Sequence, residues 1–234
     1  MSGRKKEIAV ALDTQSRDEF FKKYSELENL DLVFKIGLKI LPRLEQSDWK
    51  KFSQLTARKK IFVDAKLHDI PSQVADAISA YADVGATYIT VHLSGGRKML
   101  EEAQKKAENY KVKLLGVSAL TSLSEADLRQ IGFSGSSSQV VENLIQLGIE
   151  CGLDSFVMSP WELGLKTKFP NIFCVTPGIS LESGAKAPDQ VRTATLSEAL
   201  AMGSDMPVIG RAIVQSANAK VMAASALEML RISG

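Results

Sequence analysis

Short β-rich apolar runs alternate with helix-patterned stretches along the whole 234-residue chain. The runs are EIAVALD (7–13), LVFKIG (32–37), KIFVDAKL (60–67), ATYITVH (86–92), KLLGVSAL (113–120), DSFVMSP (154–160), IFCVTPG (172–178) and MPVIG (206–210), eight in all. Between them lie amphipathic stretches such as SRDEFFKKYSEL, PSQVADAISAYADVG, SLSEADLRQIG and TLSEALAMG, and two of these end in a helix-stopping glycine, Gly85 and Gly203. Strand–helix alternation implies parallel strands joined by right-handed crossovers. Eight such units in a chain of this length predict an α/β fold, a single (β/α)8 TIM barrel spanning residues 1–234. IGFSGSSSQ (131–139) reads as a loop, and neither a linker nor a close internal repeat divides the chain.

A two-residue strand period sorts the side chains into two faces. In the first strand Ala9, Ala11 and Asp13 share a face; in the second, Val33, Lys35 and Gly37; in the third, Phe62, Asp64 and Lys66; in the fourth, Tyr88, Thr90 and His92. With the bulky aliphatic faces packed on the helices, Asp13, Lys35, Asp64 and Lys66 point into the barrel mouth, at the carboxyl ends of the strands. In this architecture that end carries the chemistry. Ionised groups converging there are costly unless they pair. One reading is an ion-pair network that only neutralises itself. The favoured one is that alternating Asp and Lys hold a lysine protonated and aimed, as an acid catalyst requires. His92 reads equally as a hydrogen-bonded structural histidine or as a catalytic one.

The end of the barrel supplies a second region. The seventh strand finishes in Val175-Thr176-Pro177-Gly178-Ile179 and leads by a loop to Asp189-Gln190-Val191-Arg192, and the eighth finishes in Ile209-Gly210-Arg211 just before a helix. Loops after the last two barrel strands commonly bind phosphate. Glycine admits a close approach, a helix start presents free N–H groups, and arginine can grip phosphate with two hydrogen bonds. The residues alone therefore suggest an enzyme acting on a phosphorylated small molecule through a lysine.

Composition excludes several other classes. The net charge of +2 is too small to argue for nucleic acid or a membrane surface. No run approaches the roughly 18 apolar residues of a membrane-spanning helix, and Ile8–Leu12 is too short for a signal peptide. Cys151 and Cys174 lack metal-like spacing and read as buried thiols of a reducing, cytoplasmic protein. No Walker-type loop, G-x-G-x-x-G or H-E-x-x-H occurs, and no metal is expected.

Asp64-Ala65-Lys66-Leu67-His68-Asp69-Ile70-Pro71 closely resembles the signature of the orotidine 5'-phosphate decarboxylases of bacterial type. Ala11-Leu12-Asp13, Phe34-Lys35-Ile36-Gly37, Ser94-Gly95-Gly96, Leu120-Thr121-Ser122, the T-P-G-I segment, Asp189-Gln190 and Ile209-Gly210-Arg211 follow in the family's order over residues 11–211. The resemblance implies a cofactor-free conversion of orotidine 5'-phosphate to uridine 5'-phosphate, the last step of pyrimidine nucleotide synthesis. It implies that Lys66 donates the proton to C6 as carbon dioxide leaves. Asp64 and Asp69 flank it, Asp69 reaching in from the partner of a homodimer. Asp13 and Lys35 hold the ribose hydroxyls, Thr121 the pyrimidine edge, and Gln190, Gly210 and Arg211 the 5'-phosphate. Ile70, Gln73 and Ser180 join the substrate-binding set. Ser180 stands where bacterial members usually carry arginine, and Gln73 where threonine is usual. The runner-up is a magnesium-dependent keto-sugar-phosphate decarboxylase or hexulose-phosphate synthase sharing the D-x-K-x-x-D core. The reading from another class is a non-catalytic barrel that binds a phosphorylated ligand.

Overall fold

A computed structural model describes residues 5–55, 60–120, 122–181 and 193–233. Nine parallel strands form the sheet: β1 (Ala9–Ala11), β2 (Val33–Gly37), β3 (Lys60–Leu67), β4 (Ala86–His92), β5 (Lys113–Val117), β6 (Ser155–Val157), β7 (Phe173–Ser180), β8 (Ala194–Thr195) and β9 (Met206–Ile209). The order β6-β5-β4-β3-β2-β1-β9-β7, closed by pairing of β6 with β7, makes an eight-stranded barrel. The two-residue β8 adds to the rim of β7 through Ile179 and Ser180. It ends at Thr195, where the TLSEALAMG stretch read as helix begins. There, Thr195 ends the strand and caps the next helix, its hydroxyl accepting from Glu198 N.

The helices follow from local chemistry. α1 (Arg17–Leu27) and α6 (Ser137–Glu150) are capped by Ser16 and Ser136, and α5 (Glu125–Gln130) by a Ser124–Asp127 capping box. α3 (Pro71–Asp83) starts on Pro71, and the Gly85 that stops it has φ 92°. α2 (Gln46–Leu55), α4 (Arg97–Tyr110), α7 (Leu196–Ala201), α8 (Arg211–Val214) and α9 (Ala219–Ile232) complete the α-helices among the described residues.

The two faces read from the strand period separate as expected. Ala9, Ala11, Val33, Phe62, Tyr88, Leu115 and Val175 fill the barrel interior. Ile8, Val10, Leu12, Phe34, Ile36, Val63 and Ile89 pack outward in the larger layer against the helices. Apolar filling of the lower barrel leaves the mouth as the place where charges gather. Several strands are shorter than the runs that announced them. β1 stops at Ala11 and leaves Asp13 beyond the ladder, and β6 gives way at Pro160 to a 3-10 helix over Pro160–Thr167. After β1 the chain leaves the ladder to place Asp13 in the mouth.

Candidate active site

Asp13, Lys35, Asp64 and Lys66 meet at one wall of a cavity of about 1010 Å³ at the carboxyl ends of the strands. Lys66 Nζ donates to Asp64 Oδ1 at 2.8 Å, and Lys35 Nζ donates to Asp64 Oδ2 at 3.1 Å and to Asp13 Oδ2 at 3.4 Å. Asp64 is thus held between two ammonium groups. Its side chain is 13% exposed, and that of Lys35 11%. Burial pushes the Asp64 carboxyl up, but Lys35 and Lys66 outweigh it and hold it below its ordinary value. Burial likewise pulls Lys35 down, and Asp64 with Asp13 more than reverses that. Asp64 and Lys35 thus both keep their charges across the neutral range.

Gly37 leaves the room for this cluster. A Cβ there would come within 2.7 Å of Asp13 Oδ1 and 2.9 Å of Lys35 Nζ.

The backbone of β3 is not regular where it delivers these residues. Val63 pairs with Ile89 and Leu67 with Val91, so four steps along β3 match two along β4. Within this bulge Lys66 takes φ 48°, a left-handed conformation uncommon for a side-chain-bearing residue. Its N–H is satisfied by Thr90 Oγ1 at 2.8 Å, and the same hydroxyl donates to Asp64 Oδ1 at 3.1 Å. The strand period singled Thr90 out only as a neighbour of Tyr88 and His92 on the interior face. A polar residue in the middle of an otherwise apolar interior position was the available signal.

Gly178, Ile179, Ser180, Gly210 and Arg211 line the same cavity, so the segments after the last two barrel strands share one chamber with Lys66. Ser180 Oγ donates to Ala194 O at 3.4 Å, tying the end of β7 to β8. A Cβ at Gly210 would meet only Ala11 Cβ, at 3.6 Å, an ordinary contact. Packing therefore does not account for glycine at that position.

Asp69, Ile70 and Gln73 are exposed and do not line this cavity within their own chain. Asp69 Oδ1 instead accepts from Ile70 N at 2.7 Å. Thr121 and Gln190 lie outside the described residues. His92 does not line the cavity either. Its ring is 5.5 Å from that of His68, centroid to centroid, and burial, then His68 and Lys66, lowers its pKa and favours the neutral form. Cys151 and Cys174 are both free and buried, and burial pushes the Cys174 thiol up to about 12. Among the described residues no helix is long and apolar enough to cross a membrane.

Comparison with known proteins identifies the family and matches the fold. The model of the orotidine 5'-phosphate decarboxylase / HUMPS family matches residues 6–226. The orotidine 5'-phosphate decarboxylase of Psychromonas ingrahamii is 36% identical over 217 residues, 90% of this chain and 91% of that protein. That of Saccharophagus degradans is 34% identical over 237 residues, covering 97% and 96%. The crystal structure of the Lactobacillus acidophilus orotidine 5'-phosphate decarboxylase superimposes with a TM-score of 0.84 at 28% identity, covering 96% of this chain and 99% of that one. An uncharacterized conserved protein from Geobacillus kaustophilus reaches a TM-score of 0.82 at 27% identity, covering 95% and 99%. The chain belongs to the orotidine 5'-phosphate decarboxylase / HUMPS family, and as an enzyme it falls with that family's carboxy-lyases.

Proposed function

We propose that this protein decarboxylates orotidine 5'-phosphate to uridine 5'-phosphate without a cofactor, Lys66 being the acid. The observation that carries the reading is the Lys66–Asp64–Lys35 arrangement in the wall of a cavity that Gly210 and Arg211 also line. Loss of carbon dioxide leaves the bonding electron pair on C6, in the plane of the ring, where the ring π-system does not take it up. A fixed ammonium stabilises that charge as it develops, and in a preorganised site it needs no reorientation to do so. The Lys66 Nζ proton then passes to C6, giving the product, and the neutral amine regains a proton from water.

The remaining roles follow the resemblance. Asp64 sits beside the departing carboxylate and orients Lys66. Lys35 and Asp13 take the ribose hydroxyls. Arg211, the Gly210 backbone and Gln190 take the phosphate, Ser180 standing where the family usually places arginine, and Thr121 takes the pyrimidine edge. Glycine at 210, unexplained by packing, suits a backbone that a phosphate must approach closely. Asp69, with Ile70 and Gln73 beside it, serves the site of a second copy in a homodimer, which fits its exposed position away from its own cavity. Two free buried thiols suit a reducing, cytoplasmic setting.

The family's name also covers the magnesium-dependent sugar-phosphate reading. Against it stands the charge of the wall: each Asp64 oxygen is already taken by an ammonium group, an unfavourable place for a dication.

The test is to mix the purified protein with orotidine 5'-phosphate and excess chelator and follow conversion by absorbance, with Lys66→Ala beside it. The expected result is rapid conversion that falls about a thousandfold or more in the variant, the scale of losing an acid and its fixed charge together, while nucleotide still binds. Conversion only with magnesium and pentulose or hexulose phosphates would replace the reading by its runner-up. Near-normal turnover in Lys66→Ala would remove that residue as the acid.

A further inference from the structure

We infer that Thr90 is a positioning residue for the Lys66–Asp64 pair: its single hydroxyl locks the β3 bulge and the Asp64 carboxylate into one geometry. The inference rests on the decarboxylase reading of the site.

Three observations meet at this side chain. Thr90 is fully buried. It lies opposite the segment of β3 that has slipped out of register with β4, between the pairs Val63–Ile89 and Leu67–Val91. Its Oγ1 accepts from Lys66 N at 2.8 Å and stands 3.1 Å from Asp64 Oδ1.

The direction of each bond is fixed by chemistry. Lys66 N–H can only donate, so the Thr90 oxygen is its acceptor. Asp64 is held ionised between two ammonium groups and can only accept, so the hydroxyl proton points to Oδ1. A regular strand would satisfy the Lys66 N–H on the neighbouring backbone. In the bulge that partner is gone, and a buried orphaned N–H is costly. Thr90 replaces it, and through the same oxygen it couples the left-handed backbone of Lys66 to the carboxylate that receives Lys66 Nζ. Lys66 is therefore gripped at both ends, at its backbone by Thr90 and at its ammonium by Asp64. Thr90 also grips Asp64, closing a ring of three contacts. A β-branched residue suits the place, because its χ1 is stiff and its methyl group can share the barrel interior.

Displacement of a reacting group by about an ångström costs on the order of a hundredfold in rate. Loss of the ring should thus appear in kcat and leave substrate binding largely alone, since Thr90 does not line the cavity. The experiment measures kcat and KM for orotidine 5'-phosphate, and the affinity for uridine 5'-phosphate, in wild type, Thr90→Ser, Thr90→Cys and Thr90→Val. The expected order of kcat follows hydrogen-bonding capacity. Ser, which keeps the hydroxyl, stays within a few-fold of wild type. Val, which keeps the shape, falls by tenfold to a hundredfold with KM and product affinity within about threefold. A Val variant with wild-type kcat overturns the inference, as does one whose loss lies in KM. If Thr90→Val does not fold, Ser against Cys carries the same contrast at similar volume, and equal kcat in those two overturns it. A wild type that binds uridine 5'-phosphate yet fails to convert orotidine 5'-phosphate defeats the decarboxylase reading, and is distinguished from either result by needing no variant.

Discussion

Lys35 Nζ donates to the Asp64 oxygen that Lys66 does not use, at 3.1 Å, so one carboxylate holds two ammonium groups apart. Removing it leaves two like charges facing each other in a largely buried wall. Asp64→Ala should therefore destabilise the fold by roughly 3 kcal/mol, the scale of breaking a buried pair, besides disabling the site. Urea denaturation reads the loss. A variant as stable as wild type would mean that water or a moved side chain replaces the carboxylate at no cost.

The same pair predicts a pH dependence. The folded value of Asp64 lies below 3.8, so its contribution is present above that value and is lost as pH falls through the lower, folded one. The folded value of Lys35 lies above 10.5, so its contribution is present below 10.5 and is lost as pH rises through the higher, folded one. The stability difference between wild type and Asp64→Asn should be level across neutral pH and shrink at both extremes. Denaturation series across pH test this. A difference that already changes across neutral pH would assign the dependence to a group other than this pair.

Gly37→Ala should cost activity through the charges rather than through the core. The added Cβ meets Asp13 Oδ1 at 2.7 Å and Lys35 Nζ at 2.9 Å, both ends of polar side chains that must move. Destabilisation of about 1–3 kcal/mol is expected from such overpacking. Alongside it, substrate affinity should weaken, since the displaced groups are those assigned to the ribose. Wild-type KM in a folded Gly37→Ala variant would count against that assignment of Asp13 and Lys35.

How the sequence announced this site explains what it left hidden. β3 and β4 keep the bounds read from their apolar runs, because those runs combine a period of two with clear breaks, His68-Asp69 after one and Leu93-Ser94 after the other. Asp64 and Lys66 were legible as mouth residues for the same reason. The bulge that carries them was not. Inserting two residues restores the alternation, so the pattern of faces is the same with or without the register shift. The left-handed Lys66 and the Thr90 bridge depend on that shift and had no sequence sign beyond a polar residue on an interior face. β8 was missed because two residues carry no periodicity, and its Thr195 also serves as a helix cap.

Arg211→Ala should weaken binding selectively. A charge-assisted bond to phosphate contributes roughly 1.5–3 kcal/mol, about tenfold to a hundredfold in affinity. The comparison is between uridine 5'-phosphate and uridine in wild type and variant, by calorimetry. The expected loss falls on the phosphorylated ligand alone. An equal loss for both would show that Arg211 supports the fold of the mouth rather than the phosphate.

The position of Asp69 sets the last prediction. The residue is exposed, caps its own Ile70 N–H and stays out of its own chain's cavity. Leu38 and Ile70, each at least 60% exposed, are apolar surface that a second copy would cover. If Asp69 serves the partner's site, each site of a two-fold dimer uses Lys66 from one chain and Asp69 from the other. Lys66→Ala and Asp69→Ala would each be inactive alone. In a mixed dimer, the Asp69→Ala subunit keeps its own Lys66 and receives Asp69 from its partner, so one site is whole and the other lacks both residues. Random exchange makes half the dimers mixed, so mixing should restore about a quarter of wild-type activity. Mixing after unfolding and refolding together, with dimer formation followed by sedimentation, makes the exchange complete. A mixture that stays inactive while mixed dimers form would mean that both residues act in the same chain, with Asp69 swinging into its own cavity when substrate binds.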